Sequence, residues 1–421
     1  MGVFSAFSSA LSALQAESAG IDTTGNNLAN LNTTGFKGSN VDFLSMVSES
    51  IGSGSDSTSV GMGVQSPLNI QQFTQGSIDA TTSPLDCAIQ GNGFFIVNNT
   101  VGAQLYTRDG SFTVNAAGYL QTQTGENVQG WMADASGVVN TNGATGNIVV
   151  PAGITLPPVA TQNVSLSLNL NANATADATS TFSQSLQVYD SLGQSHTLDF
   201  TFVKTGANAW TGTVTIPGAD VGSKTDVTVG TENLTFDPTT GLLTAPAATD
   251  TPPTISLGTN TLADGATLPT INWNFYDSTG AGTVTQYAES SALSSSLQDG
   301  NPAAQMTSIA ITNGGEVTAT FSDGETRVEA QLAVANIRNP DSLTNVGNNE
   351  FVASGTTAPP AVGMPQTGGR GQVLGSSLEA SNVDMATQFT NLIVFQRGYE
   401  AATKVISTAD SMSQDLVNLI H

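Results

Sequence analysis

NNLANLNTTGFKGS, residues 26–39, is the stretch on which the reading of this chain turns. It holds four asparagines, two threonines and two glycines, together with Phe36 and Lys37, one of only nine cations in 421 residues. Upstream, Phe4, Phe7, Leu11, Leu14, Ile21 and Leu28 recur in steps of three, four and seven. That spacing predicts an amphipathic helix with a heptad-like seam, so the quoted stretch is where a helix ends. Leu28 and Leu31 finish the stripe. Asn26, Asn27, Asn30 and Asn32 carry both donors and acceptors and can satisfy backbone groups orphaned at a helix end without adding fixed charge. After Thr34, Gly35 is placed to take a positive φ, Phe36 to anchor the linking segment, and Lys37 to reach an acidic partner. The segment reads as a hinge between a helical core and the rest of the chain.

The other end has the same rhythm. Met385, Phe389, Leu392, Phe395, Tyr399, Ala402, Ile406, Ala409, Met412, Leu416 and Leu419 form a second stripe. None of the 16 prolines falls before Pro67 or after Pro365, and proline is excluded from helix interiors. A helix is therefore expected from about Asn382 to the terminus. The two stripes could close one domain as an ordinary helix pair. Yet two helices alone leave much of each seam wet, and Phe4, Phe7, Phe389, Phe395 and Tyr399 are large groups to expose. Burial by neighbouring subunits is the favoured reading.

Between the helices the sequence is β throughout. GNGFFIVNN (Gly91, Asn92, Gly93, Phe94, Phe95 and onward) and LYTRDGSFTVNAAGYLQT begin it, with Asp109-Gly110 expected at a hairpin turn. GGEVTATFSDGETRVEAQLAVANI repeats the pattern with Asp323-Gly324. The intervening residues, about 150–281, hold short strands with Trp210 and Trp273 as expected core anchors, which suggests a sandwich or distorted barrel. GGRGQVLG, residues 368–375, is expected as a loop. The fold class is thus multidomain α+β, with terminal helices in a coiled-coil inner domain, a discontinuous all-β middle domain and an inserted all-β domain.

Composition excludes several functions. Nine Lys+Arg face 33 Asp+Glu, for a net charge of −24. So few cations cannot track phosphates, which excludes nucleic acid, and anionic membranes are disfavoured likewise. The N-terminus has neither the basic start nor the continuous apolar run of a secretory signal, and no segment is apolar for long enough to insert into a bilayer. The single cysteine, Cys87, excludes an intramolecular disulfide and is expected as a small buried hydrophobe.

No catalytic, metal or cofactor site emerges. Of the two histidines, His196 sits in an expected strand, at the surface or between strands, and His421 ends the chain. DSLGQSHTLD reads as a turn, because Asp190 and Asp199 are too few acids for a calcium loop. GNGFFI lacks the third glycine of a dinucleotide fingerprint and is followed by strand formers instead of a helix.

Taken together, NNLANLNTTGFKGSNVDF, GNGFFIV with LYTRDGSFTVNAAGYLQT, and LEASNVDMATQFTNLIVFQRGYEAATKVISTADSMSQDLVNLI resemble the bacterial flagellar axial proteins, the rod and hook subunits. VYDSLGQSHTLDFTFVKTG, LAVANIRNPDSLTNVGNNEFVASG and the chain length are similar to the hook branch. The resemblance implies a self-assembling structural subunit, not an enzyme, exported by the flagellar type III route without a cleaved signal. It implies a homopolymeric tube acting as a universal joint outside the cell. Implied partners are the hook cap, distal rod protein, hook–filament junction protein and export apparatus. By the same resemblance the inner helices cover 1–30 and 382–421, a linking segment 31–70, the middle domain 71–149 and 282–375, and the outer domain 150–281. A distal rod or junction protein, and a secreted β-rich adhesin or carbohydrate-active protein, are the alternatives. The assembly residues would be those of the two stripes. The signature would be Asn26, Asn27, Leu28, Asn30, Asn32, Thr34, Gly35, Phe36 and Lys37.

Overall fold

The computed structural model describes residues 2–46, 49–51, 58–150, 153, 155–177 and 180–418. It forms two compact units, one of Met1–Ala152, Ser308–Thr320 and Thr326–His421, the other of Gly153–Thr307 and Phe321–Glu325.

In the first unit, α1 (Gly2–Ala29) and α2 (Met385–Asn418) pack together. α2 starts three residues later than expected because Asp384 caps it, its Oδ1 accepting from the Thr387 amide at 2.7 Å. α1 ends in tightened turns, where the Asn30 and Thr33 amides donate to the carbonyls three residues back, Asn27 and Asn30, at 3.2 Å each. The helices run antiparallel, since Asn27 meets Gln388, Gly20 meets Phe395 and Glu17 meets Gly398. Their shared seam is lined by small groups. Ala10, Ala16, Gly20, Ala402 and Ala409 are buried, and a Cβ on Gly20 would come within 2.9 Å of the Phe395 ring. Small side chains let two backbones approach closely and leave room for the Phe395 ring, while Phe7, Leu11, Phe389 and Met412 stay exposed.

The β part of this unit is one large antiparallel sheet with separate two-stranded ladders beside it. Strands Glu316–Phe321, Thr326–Leu332, Asn127–Met132, Phe94–Asn98, Gln104–Thr107, Glu350–Val352 and Thr344–Gly347 lie side by side in that order. Phe94, Ile96, Tyr106, Trp131 and Phe351 share its core. Asp323-Gly324 makes the expected hairpin, with Thr320 opposite Thr326 and Gly324 at φ 87°. Asp109-Gly110 does not. Gln104–Thr107 pairs with Phe94–Asn98, whereas Phe112–Val114 pairs with Leu120–Thr122. Gly110 instead lies so close to strand Cys87–Gln90 that a Cβ on it would overlap the Cys87 carbonyl oxygen. Cys87 itself is fully buried. The segment expected as a loop over 368–375 is half strand, Gln372–Gly375 pairing with Cys87–Gln90.

The second unit packs two sheets. Thr181–Tyr189, Ser195–Gly206, Ala209–Ile216, Val227–Phe236 and Leu243–Ala245 form an antiparallel meander. The other sheet centres on Asn163–Asn169, flanked by Ile271–Asn274, Val284–Thr285 and Ala292–Gln298. The last two strands carry the unit on to Thr307, past the boundary of 281 expected from the sequence. Period-two alternation turns Leu198, Phe200, Phe202, Trp210, Val214 and Ile216 inward. Trp273 stacks edge-on against Phe200 at 5.2 Å, over Gly212, where a Cβ would stand 2.7 Å from the indole.

Gly110→Ala should lower the denaturation free energy of the monomer by about 2–4 kcal/mol, because neither backbone can yield. Gly146→Ala, facing open space, should change it by less than about 0.5 kcal/mol. Urea titrations of the two variants read the contrast directly, and equal effects would refute the packing assignment.

Candidate functional site: the helix faces and the clasp beneath them

On the helix pair, Phe7, Leu11, Met385, Phe389, Tyr399 and Met412 are exposed, Phe389 at 50%. Leu14, Ile21, Leu28, Leu392, Phe395 and Ile406 are half-buried. The side chains of Phe4 and Leu416, and Leu419 entirely, lie outside the described residues. Ile393, Val394 and Val405 are also exposed apolar groups on α2. They fall off the stripe read from the sequence, so a single-seam pattern could not find them. A run of apolar residues on more than one helix face was the available signal.

The signature stretch is tied down on every side. Asn27 is buried, and its amide both donates to the Ser39 carbonyl at 2.8 Å and accepts from the Ser39 amide at 2.9 Å. Its Nδ2 also reaches Gln388 of α2 at 3.1 Å. Asn30 donates to the Asn26 carbonyl, whereas Asn26 and Asn32 face solvent. Gly35 has φ 66° and donates to the Glu379 carbonyl at 2.7 Å. The Phe36 ring is buried and Thr34 is half-buried, its carbonyl accepting from Asn349 at 2.8 Å.

Beneath them lies a buried cluster of three charges. Lys37 Nζ stands 2.6 Å from Glu379 Oε1, and Arg108 places a guanidinium nitrogen 3.1 Å from Glu379 Oε2. The Glu379 side chain is fully buried, as is that of Lys37, and Arg108 is 4% exposed. Lys37 also donates to the Thr74 carbonyl at 2.8 Å, Arg108 to those of Ile89 and Gly91, and the Gly76 amide to Glu379 Oε1 at 3.0 Å. Burial pulls the Lys37 ammonium below its usual pKa while Glu379 holds it up. Burial likewise lowers the Arg108 guanidinium against the same carboxylate. Asn382 continues the lock, accepting from the Gly38 amide and donating to the Gln72 carbonyl at 2.8 and 2.7 Å. The stretch expected as a hinge is therefore a clasp, because its lysine is buried against a carboxylate 342 residues away in sequence.

In the GNGFF motif, Gly91 and Asn92 are exposed and Gly93, Phe94 and Phe95 are buried. Gly93 takes φ 132°, and a Cβ there would lie 2.6 Å from Val334. Close by in the same unit, a recess of ≈ 360 Å³ opens between Asn30 and Thr33 on one side and Thr107, Thr122 and Glu350 on the other. Glu350 is 5% exposed, and its Oε1 has no hydrogen-bond partner. Burial, and then the neighbouring Glu126 carboxylate, push its pKa up to about 7. Glu126 is itself desolvated, but hydrogen bonds from Thr122 and Thr124 hold its pKa below the usual range. Among the described residues no helix is long and apolar enough to cross a membrane.

The chain matches four family models in series: flagellar basal body rod protein (residues 7–37), flagellar hook protein FlgE/F/G D1 domain (88–171), flagellar basal body protein FlaE D2 domain (155–301) and flagellar basal body rod FlgEFG protein C-terminal (375–419). Full-length likeness decides between the branches. The flagellar hook protein FlgE of Treponema pallidum is 31% identical, with 98% of each chain covered. That of Brucella melitensis is 32% identical over 100% of both, and that of Salmonella typhimurium 30% over 98% of this chain and 99% of its own. The chain belongs to the flagellar hook protein family. It is a structural subunit of the hook and not an enzyme. Membership implies polymerisation within the flagellar axial structure.

The clasp and the recess can each be tested by substitution. Glu379→Ala strands two buried cations and should cost about 3–5 kcal/mol in denaturant titrations, whereas the triple change Lys37→Met, Arg108→Met, Glu379→Leu should recover most of that loss. A triple variant as unstable as the single one would contradict this electrostatic account. For Glu350, folding raises the pKa above the unfolded value near 4.5, so the folded state holds the extra proton. Its contribution is complete below pH 4.5 and is lost as pH rises to about 7. Glu350→Gln should match the native protein near pH 4 and exceed it at pH 8 by on the order of 1 kcal/mol. A difference independent of pH would exclude this role for Glu350.

Proposed function

We propose that the chain polymerises through its paired terminal helices into a curved, flexible helical tube. This hook serves as the universal joint carrying torque from rod and motor to filament. One observation carries the reading. α1 and α2 spend their small residues on each other and leave Phe7, Leu11, Phe389, Ile393, Val394 and Met412 facing water. Apolar groups of that size and number are stable only when neighbouring copies cover them. An open helical polymer uses heterologous contacts, which suits two unlike helix faces.

By likeness to the family, residues 1–30 and 382–421 form the inner layer and 31–70 link it outward. The β part of the first unit, from about residue 71, forms the middle layer, and the second unit, which extends to Thr307, the outer. The outward faces of the second unit support a sliding role. Ser183 meets Thr201, Thr211 meets Asn233 and Thr235 meets Thr244 through hydroxyl and amide hydrogen bonds at 2.9–3.1 Å. Such neutral groups can exchange partners as a tube bends more readily than fixed ion pairs. The extracellular site, export by the type III apparatus, and contact with cap, distal rod and junction proteins belong to the same proposal.

Electron microscopy of the purified full-length protein should find curved tubes of one diameter. Removing residues 1–30, or replacing Phe389 by Asp, should leave soluble monomer with the second unit intact by circular dichroism. Tubes formed by the truncated chain would sink the proposal.

A further inference from the structure

In the second unit, three aspartates surround one buried histidine. His196 occupies the inward row of strand Ser195–Gly206, two residues before Leu198, and is 5% exposed. Its Nδ1 lies 3.1 Å from Asp220 Oδ2. Its Nε2 faces two carboxylates, Asp190 Oδ2 at 3.1 Å and Asp264 Oδ2 at 4.0 Å. Those three ligand atoms lie within 4.8 Å of one another.

Both facing carboxylates are held by their other oxygen. Asp190 Oδ1 accepts from the amides of Leu192 and Gln194 at 2.8 and 2.9 Å, and Asp264 Oδ1 from that of Ala266 at 2.9 Å. Asp190 is fully buried, while the Asp264 side chain is 36% exposed and leaves one side of the group open to water. The Asp220 carbonyl accepts from the Ala263 amide at 2.8 Å, which fixes the loop that carries Asp264.

We propose that His196 Nε2, Asp190 and Asp264 form a binding site for a zinc-type divalent cation. Three arguments converge. His196 Nε2 and the Oδ2 atoms of Asp190 and Asp264 bring three ligand atoms of three residues together, while Asp220 at Nδ1 holds the ring. Among the described residues no Lys or Arg lies within ion-pair distance of these aspartates, so no side-chain cation occupies the place an ion would take. Finally, tetrahedral ligands about 2.0 Å from a zinc ion stand about 3.3 Å apart, close to the 3.1 Å between His196 Nε2 and Asp190 Oδ2, and Asp264 Oδ2, 4.0 Å from Nε2 on a half-exposed side chain, must swing inward.

Asp220 then plays the part that a carboxylate behind a metal-bound histidine commonly plays, holding the ring in the tautomer that coordinates. The open side admits water as the fourth ligand. An imidazole in the set favours zinc, nickel or copper over calcium and magnesium. Bound metal would join the turn at Asp190–Gln194, the short helix Gly218–Val221 and the loop around Asp264 into one rigid corner. The group escapes detection in the sequence because its members are spread from 190 to 264. Alternation placing His196 in register with Leu198 and Phe200 was the signal available.

The test uses the full-length protein, stripped with chelator and titrated with zinc chloride by calorimetry, with nitrogen-15 spectra of the imidazole. One equivalent should bind, shift the Nε2 resonance and raise the melting temperature. His196→Ala should abolish that event. Asp264→Asn, an exposed change that spares the core, should weaken it at least about tenfold, and Asp220→Asn about 10–100-fold. Absence of saturable binding at millimolar zinc would assign His196 to a purely protonic ion pair. Binding undiminished in His196→Ala and Asp264→Asn would place the metal elsewhere. Either result overturns the proposal.

Discussion

The Glu379 carboxylate, buried between Lys37 and Arg108, is the interaction on which the first unit depends. In a chain with 33 acids and nine cations, two cations converge on one acid. Each member arrives on a different piece of the chain. Lys37 comes after α1, Arg108 after strand Gln104–Thr107, and Glu379 closes strand Ser377–Glu379 ahead of α2. The helix pair is thereby registered on the sheet by a contact that tolerates no sliding. A carboxylate buried against cations resists displacement because every alternative leaves an uncompensated charge in a medium of low dielectric.

That rigidity complements the helix seam. Alanine and glycine bring α1 and α2 close enough to act as one object, and Asn27 with Gln388 pins their ends together. Phe7, Leu11, Phe389, Ile393, Val394 and Met412 lie outside that seam and face water. Each subunit thus combines a fixed junction with exposed apolar helix faces, while the second unit carries hydroxyls and amides on its exposed strands.

Much of this was legible from local pattern. The absence of proline at both ends marked the helices, Asp323-Gly324 marked its hairpin, and Trp210 and Trp273 lie in the core as their flanking strands implied. What failed did so where the deciding partner is remote. Asp109-Gly110 has the composition of a hairpin turn, but its glycine exists to let Cys87 pass. Lys37 was readable as a residue seeking an acid. That the acid was Glu379, and that pairing would turn a hinge into a clasp, could not be seen without the fold. His196 lies in a strand as expected, but its burial among three aspartates could not be read, since they belong to other loops.

The pairing of α1 with α2 also sets a clock. The first helix of the chain finds its partner in the last, with about 350 residues between Ala29 and Met385. At roughly 5–20 residues per second, a ribosome needs roughly 20–70 s to supply the second helix after finishing the first. During that interval the N-terminal segment has no seam to close against and no Glu379 to receive Lys37. A sequence built this way keeps its first helix without its partner through most of synthesis, and the delay is written into the order of its elements.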